Sequence, residues 1–430
     1  MKRKIVAALV WTGMMVSAAM GAQERTLRLD YVFAGTSTET EISFSGAKSM
    51  EGWAGRRGRQ DEALLSGNGS ISLRDAESGK LLYVHTFSTL FQEWQNTEEA
   101  TKVRKAFENV FLVPMPDAPA EVTVCLTDNY GRTVAELTHP VDPADILIRP
   151  VKEEYPYKYI LRSGSSVECV DVAIVAEGYK EEEMDMFYED AQFAAEQILS
   201  HEPFASLRDK FNFVAVGVPS KDSGVSIPHE GLWKETALGS NFDTFYSDRY
   251  LTTLNLFRLH DVVSGVPYED IIILANTDTY GGGGIYNSYM LSAAHNRYSA
   301  PVIVHEFGHS FAGLADEYFY DDQYEQFYNS ETEPWEPNVT TLVDFGSKWE
   351  DMLEVEGVVT KADQADPKWK EEAGKEGEGF KVGIYEGAGY MSEGAYRPYP
   401  ECRMKINEYP TFCPVCERAI RRMIEYKTAK

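Results

Sequence analysis

The segment Pro301–Glu317, which reads PVIVHEFGHSFAGLADE, carries the signals that decide the fold around it. Pro301 suits the first turn of a helix, and apolar residues recur at helical spacing after it. Gly313 stands where that helix has to end, because glycine adopts the left-handed conformation of a C-cap without strain. We therefore predict a helix that carries His305 and His309 and ends at Gly313.

Two histidines four positions apart lie on one face of a helix, so His305 and His309 can hold the same ion. Asp316 follows Gly313 by three residues, so its carboxylate can swing back towards them. Two histidines and one carboxylate leave a fourth tetrahedral position for water, which is typical of catalytic zinc sites. Glu306 projects beside the histidines, where it can take a proton from the attacking water. The sequence leaves alternatives for the third ligand, namely Glu317, Glu325, Glu331 and Glu333.

The first 22 residues have the pattern of an export signal. Residues 2–4 are basic, an apolar run follows to Met20, and small residues precede the expected cleavage after Gly21 or Ala22. The run is short for a transmembrane helix, and no later stretch is long and apolar enough to span a bilayer. We predict a signal peptide over residues 1–22 and export to the periplasm, the cell surface or the extracellular medium.

The chain is strongly acidic, with a formal net charge of −27 that becomes −30 once the three basic residues of the signal are removed. Such an excess argues against nucleic acid or an anionic membrane as a partner. Most acidic runs are expected to be solvated surface. One acidic segment is also a candidate Ca²⁺ site, formed by Asp321, Asp322 and Glu325.

Length and patterning indicate two domains after the signal. Residues 23–150 contain short alternating runs separated by turn residues, which predict an accessory antiparallel β-sandwich with one helix over residues 98–107 and a linker over 142–150. Residues 151–430 alternate strands and helices, so we predict an α+β or α/β catalytic domain with a mixed sheet and an active-site helix. The run Gly281–Gly284 is expected to form a turn before an edge strand, Tyr286–Ala293, that an extended substrate can join.

Five cysteines are present, and three of them cluster near the C-terminus at Cys402, Cys413 and Cys416. Export permits a disulfide there, and we expect one to pin this segment. A second zinc at Cys413 and Cys416 would need a further ligand pair, and only Cys402 is near. The pairing among these three, Cys125 and Cys169 cannot be read from the sequence.

The stretch from His305 to Tyr318 resembles the bacterial IgA-peptidase family of zinc metallopeptidases. Agreement extends over the catalytic half of the chain, at residues 220–226, 387–390, 396–398, 402–405 and 412–416. The resemblance implies a metzincin-like zinc endopeptidase, preceded by the accessory domain that the family often carries. The roles it implies are zinc ligation by His305, His309 and Asp316, general base catalysis by Glu306, and a Met-turn beneath the zinc at Met404.

The chain departs from the metzincin pattern at two places. One extra residue separates the second histidine from Gly313, and one helical residue rotates the turn by about 100°. Either the helix bulges or the chain reaches the metal differently. The position of the metzincin tyrosine switch is Ile406, so Tyr390 and Tyr396 are the candidates for contact with the substrate or the transition state. Met391 competes with Met404 for the Met-turn.

These features predict a secreted zinc endopeptidase that cleaves extracellular or host proteins, with IgA as one candidate substrate. Two other classes stay open: a zinc amidase or deacetylase acting on glycan or cell wall, and a non-catalytic binding protein on a peptidase fold. The presence of Glu306 argues against a non-catalytic binding protein, because only catalytic turnover requires that carboxylate. The sequence does not give the substrate or the oligomeric state.

Overall fold

The computed structural model describes residues 25–320, 328–366 and 380–430. The predicted signal peptide, residues 1–22, lies outside these ranges, as do Asp321, Asp322 and Glu325 of the candidate Ca²⁺ site. In the described ranges, no helix combines the length and the apolar character that crossing a membrane requires.

The N-terminal part consists of two four-stranded sheets. Their strands are β1 (Arg25–Gly35), β2 (Thr40–Glu51), β3 (Gly69–Asp75), β4 (Leu81–Phe87), β5 (Lys105–Pro114), β6 (Ala120–Thr127), β7 (Thr133–Val141) and β8 (Arg149–Pro150). The strand orders are β5-β1-β2-β8 and β4-β3-β6-β7, with antiparallel pairing except between β2 and β8. Phe87 of one sheet packs on Phe111 of the other, with ring centroids 4.2 Å apart. Alternating burial along β3 and β6 confirms the predicted sandwich.

The helix predicted over residues 98–107 is wrong. The structure has a six-residue helix α1 (Leu90–Gln95), a single 3₁₀ turn at Glu99–Thr101, and β5 from Lys105 onwards. The Thr89 side chain caps α1 by accepting a hydrogen bond from the N–H of Gln92. Strand β5 pairs with β1 along its whole length, so long-range pairing prevails over local helix propensity.

A six-stranded sheet forms the scaffold of the second part. Its strands are β9 (Tyr157–Arg162), β10 (Val170–Glu177), β11 (Phe211–Val216), β12 (Asp270–Ala275), β13 (Gly282–Ile285) and β14 (Tyr289–Ala293), in the order β13-β14-β12-β10-β11-β9. The four inner strands are parallel and the two edge strands are antiparallel to their neighbours. Strands β10, β11 and β12 are buried at every residue, as expected for a sheet covered on both faces. This mixed sheet after a β-rich region confirms the predicted fold class.

The edge strand differs from the prediction. The glycine run does not form a turn, because Gly282–Ile285 is itself the edge strand β13 and β14 lies inside the sheet. A Cβ atom at Gly284 would lie 2.4 Å from the carbonyl oxygen of Glu306, and one at Gly282 would lie 3.1 Å from the Glu306 Cγ. The glycines are needed because the helix that carries Glu306 packs directly on the backbone of β13.

The remaining elements surround this sheet. They are α2 (Met184–Leu199), α3 (Leu256–Val262), α4 (Ser299–Ala312), β15 (Val358–Val359), α5 (Lys361–Ala365), β16 (Ile384–Ala388), β17 (Met391–Arg397) and α6 (Pro414–Lys427). Helices α2 and α6 both pack against α4. The fully buried Arg28 of β1 binds Asp261 of α3 at 2.6 Å, which joins the sandwich to the second part. The domain boundary between residues 150 and 151 stays a prediction.

Candidate functional site

Helix α4 places the two histidines as the sequence predicts. Pro301 lies in its first turn, and Gly313 caps its C-terminus with a left-handed φ of 61°. The Gly313 N–H donates to the His309 carbonyl at 3.0 Å, and the chain then turns back towards the histidines. The helix runs unbroken to Ala312, so no bulge accommodates the residue that is additional to the metzincin spacing.

Asp316 returns to the histidines. Its Oδ1 lies 3.0 Å from the Nε2 atom of His305 and 3.3 Å from that of His309, and the two Nε2 atoms are 2.9 Å apart. We call these three residues the histidine cluster. Glu317 faces away from it, since the Glu317 carboxylate contacts Asn338 at 3.0 Å. The turn therefore selects Asp316 over its neighbour.

The hydrogen bonds of the histidines fix their tautomers. The Nδ1 atom of His305 lies 3.0 Å from the carbonyl oxygen of Arg403, and that of His309 lies 2.5 Å from the carbonyl oxygen of Leu314. Because a carbonyl oxygen can only accept, each Nδ1 carries the proton and donates it. In the neutral form of each ring, the Nε2 atom then has a lone pair directed at Asp316, which is the arrangement of metal-ligating histidines.

The charge distribution of the histidine cluster suits a cation. The Oδ1 atom of Asp316 is buried and has no hydrogen-bond partner, although two ring nitrogens surround it. Burial alone would lower the pKa of His309, but Asp316 and Glu306 outweigh it and raise that pKa to about 9. Three converging acceptor atoms repel one another unless positive charge lies between them, so the donor set fits a divalent metal ion.

Glu306 lies between α4 and the edge strand, beside the histidine cluster. Burial is the main cause that raises the pKa of Glu306, and the nearby histidines oppose this effect. A carboxylate with a raised pKa takes up a proton more readily near neutral pH. Its position and its proton affinity both suit a general base.

Met404 lies beneath the histidine helix. A Cβ atom at Gly308 would lie 2.9 Å from the Met404 Sδ, and Met404 is fully buried. Met391 instead lies in a separate small cluster with Tyr328, whose N–H points at the Met391 Sδ at 3.1 Å. Of the two methionines, Met404 is the one that packs against α4.

Tyr390 contacts the histidine cluster from a strained turn. It lies in the two-residue hairpin turn between β16 and β17, with φ of 67° after Gly389 with φ of 55°. Its hydroxyl donates to the Oδ2 atom of Asp316, and the Tyr318 hydroxyl lies 3.4 Å away. The Gly389 N–H donates to the Asp316 carbonyl at 2.9 Å, so the turn is fixed to the segment that it contacts. The left-handed conformation costs a tyrosine about 1–2 kcal/mol, which the hydrogen bonds of this turn oppose.

Tyr396, Glu331 and Glu333 are not part of the histidine cluster. Tyr396 pairs through its backbone with Thr340 on the sheet of β16 and β17 and does not line the cleft at α4. The Glu333 carboxylate accepts a hydrogen bond from the Asp344 N–H at 3.0 Å, and Glu331 is exposed. Glu325 lies outside the described residues.

Sequence reasoning missed a contribution from the sandwich. Glu93 of α1 accepts a hydrogen bond from the Tyr250 hydroxyl at 2.5 Å, and its carboxylate interacts electrostatically with His309 and Glu306. Burial raises the pKa of Glu93 to about 7. No local signal marks Glu93, because only the docking of the sandwich brings it to the site.

The outer edge of β13 is partly paired within the chain. The Gly282 N–H donates to the Arg249 carbonyl at 3.3 Å, and Ser88 donates to the Tyr286 carbonyl at 3.1 Å. Since main-chain groups alternate along a strand, those of Gly284 point outwards between these two contacts. An open cleft of about 1900 Å³ runs past this point and is lined by both parts of the chain, including α4, β13 and Tyr390.

The site combines an H-E-x-x-H helix with an open cleft and an antiparallel edge strand. This combination is typical of peptidases, and comparison with family models agrees. Residues 159–370 and 360–424 match a model described as IgA Peptidase M64. Residues 20–138 match a model described as Peptidase M64 N-terminus. The chain therefore belongs to the IgA peptidase M64 family. A comparison with curated proteins found no match.

Proposed function

We propose that this peptidase is a secreted, zinc-dependent endopeptidase. The observation that carries the proposal is the histidine cluster, in which the two Nε2 atoms and a buried Asp316 Oδ1 without a hydrogen-bond partner converge within 3.3 Å. His305, His309 and Asp316 would hold the ion. When bound, zinc would polarise the scissile carbonyl and lower the pKa of the attacking water to about 7.

The residues of the chain supply the remaining parts of the mechanism. Glu306 accepts the proton of the attacking water and then delivers it to the leaving amine. The carbonyls of Arg403 and Leu314 hold the imidazole rings in the orientation required for ligation. Tyr390 orients the Asp316 carboxylate through its second oxygen. Met404 supports the helix from below.

The cleft favours an extended peptide over a small glycan unit. It is open along its length, and the strand of Gly284 packs directly on the part of α4 that carries Glu306. A substrate that pairs with Gly284 would present its backbone to Glu306, as in β-strand addition. A zinc amidase or deacetylase would instead favour a short, closed pocket.

The physiological substrate is proposed only as a class, extracellular or host protein, with IgA as one candidate. Export rests on the pattern of residues 1–22, and the division into a sandwich over 23–150 and a catalytic domain over 151–430 rests on the sequence pattern. The acidic net charge of −27 supports a protein substrate over nucleic acid.

The test is mass-spectrometric profiling of cleavage in a complex peptide mixture, for the chain and for Glu306→Ala, with zinc measured in both. We expect internal cleavage by the wild type alone, loss of cleavage on chelation, and recovery on addition of zinc. Zinc in both proteins with no cleavage by either would contradict the enzyme and favour a binding protein. Release of acetate or cell-wall fragments without peptide cleavage would favour the amidase or deacetylase.

A further inference from the structure

A second cluster of metal-ligating side chains lies behind the catalytic helix. It consists of Glu317, Cys402, Cys413 and Cys416, which we call the cysteine cluster. Their ligand atoms all lie within 4.8 Å of one another. Each residue is at most 1% exposed, so no face of the cluster reaches the cleft. All five cysteines of the chain are free thiols in the structure, which does not contain the disulfide expected at this segment.

Three separate segments build the cysteine cluster. Glu317 follows Asp316 directly, and its N–H donates to the Met404 carbonyl at 2.8 Å. Cys402 precedes Met404 by two residues. Cys413 is the N-cap of α6, and Cys416 lies in the first turn of that helix. The cluster therefore joins the turn that carries Asp316 to the segment beneath α4 and to the C-terminal helix.

Three spacings within the cluster are close to those around one tetrahedral zinc ion. Two thiolates at about 2.3 Å from a shared zinc lie about 3.8 Å apart, and a thiolate and a carboxylate oxygen lie about 3.5 Å apart. The Sγ atoms of Cys402 and Cys416 are 3.8 Å apart. The Oε1 atom of Glu317 lies 3.1 Å from the Cys416 Sγ and 4.0 Å from the Cys413 Sγ.

Glu317 supplies an independent observation. Its Oε2 atom is buried and has no hydrogen-bond partner, and its side chain is 0% exposed. A buried carboxylate is costly unless it is paired or coordinates a metal. The cations that act on it electrostatically are Arg397, which is 2% exposed, and Lys405. Zinc with three thiolates and one carboxylate has a net charge of about −2, which two nearby cations can balance.

Two of the three sulfur atoms accept backbone hydrogen bonds. The Cys413 N–H points at the Cys402 Sγ at 3.2 Å, and the Cys416 N–H points at the Cys413 Sγ at 3.4 Å. Amide donors and a helix N-terminus both favour the ionised form of a thiol. A disulfide between any two of the three cysteines would not explain the cluster as well. It would leave the third thiol and the Glu317 carboxylate buried side by side.

We propose that the cysteine cluster is a structural zinc site, closed to solvent, that fixes the Asp316 turn to α6. Four protein ligands leave no position for water, so this ion takes no part in the reaction. The three thiols release their protons as zinc binds. Because the second site shares no ligand with the histidine cluster, it stands even if the peptidase proposal fails.

The test is zinc content per chain in matched variants. We expect two zinc ions in the wild type, one in His305→Ala/His309→Ala and one in Cys413→Ser/Cys416→Ser. The control is Cys125→Ser, whose cysteine lies in the sandwich and should leave both ions in place. Cobalt substituted into the histidine variant should give a thiolate-to-cobalt charge-transfer band, which the histidine cluster cannot produce.

The histidine variant keeps the test decisive even if the cysteine variant fails to fold. Absence of zinc and of the thiolate band from that variant would overturn the proposal. A disulfide among Cys402, Cys413 and Cys416, detected by mass spectrometry without reduction, would overturn it as well. A failure of zinc at the histidine cluster would appear differently, as one ion in the wild type that the histidine variant retains.

Discussion

Asp316 and Glu317 are adjacent in the chain, yet their carboxylates belong to two clusters of different character. Asp316 meets two histidines at the wall of an open cleft, and the side chains of these histidines are 13% and 16% exposed. Glu317 meets three cysteines in a core where no member is more than 1% exposed. The two neighbouring side chains point to opposite sides of the segment, so a single turn can serve both clusters.

The difference shows that access of solvent to a metal site decides whether the ion can take part in a reaction or only stabilise the fold. An ion with neutral imidazole ligands and an open position can act on water and substrate. An ion surrounded by thiolates in a dry core can only hold segments together. On this account, changes in the histidine cluster reduce turnover, and changes in the cysteine cluster reduce the free energy of unfolding.

The largest effect is expected at Glu306. Glu306→Gln keeps the shape of the side chain but removes the proton acceptor, so kcat should fall roughly 10²–10⁴-fold. Both zinc ions and the melting temperature should stay as in the wild type. Glu77→Gln, a change at an exposed sandwich position, is the matched control. A variant that loses zinc or unfolds would assign Glu306 a structural role.

Cys416→Ser should reduce the stability that the cysteine cluster contributes. It removes one ligand of the cysteine cluster from a fully buried position, so we expect the melting temperature to fall by roughly 10 °C. Thermal denaturation followed by circular dichroism measures the change, and zinc at the histidine cluster should remain. A variant that keeps two zinc ions and the wild-type melting temperature would show that the cysteine cluster is not a stabilising metal site.

Tyr390→Phe should have an intermediate effect on the open site. Loss of the hydrogen bond to the Asp316 Oδ2 should cost roughly 10–100-fold in zinc affinity or in kcat. Zinc titration and initial-rate kinetics measure the two quantities. Tyr396→Phe is the matched control, because Tyr396 does not line the cleft, and it should change either quantity less than about 2-fold. Equal effects from both variants would show that the Tyr390 hydroxyl has no specific role in the site.

The smallest effect is expected at Glu93 and depends on pH. Its folded pKa of about 7 lies above the ordinary glutamate value of 4.5, so the folded chain binds this proton more tightly than the unfolded chain does. The stability contributed by the protonated form is fully present below about pH 4.5 and is lost as pH rises towards 7. In chelated protein, Glu93→Gln should therefore gain roughly 1–2 kcal/mol relative to the wild type at pH 8, and little at pH 4. Denaturant unfolding at the two pH values measures the difference, and a gain that does not vary with pH would contradict it.

The sequence predicts what depends on local spacing. The histidine helix, the Gly313 cap and the approach of Asp316 follow from positions within one segment of 17 residues. The sequence groups the three cysteines of the cysteine cluster but does not add Glu317 to them. Glu317 and Cys402 are 85 positions apart, so only the folded chain brings them together. The sequence predicts a turn in place of the β13 edge for a related reason, because the packing of α4 on the four glycines is a long-range contact. Glu93 has no local signal and reaches the site through docking of the sandwich.

The most direct test is a crystal structure of the wild-type chain with anomalous scattering measured on both sides of the zinc absorption edge. The account predicts two zinc peaks, one bounded by His305, His309 and Asp316 and open to the cleft, and one enclosed by the cysteine cluster. A single peak at the histidines, with a disulfide between Cys402 and Cys416, would contradict the division of Asp316 and Glu317 between two metal centres.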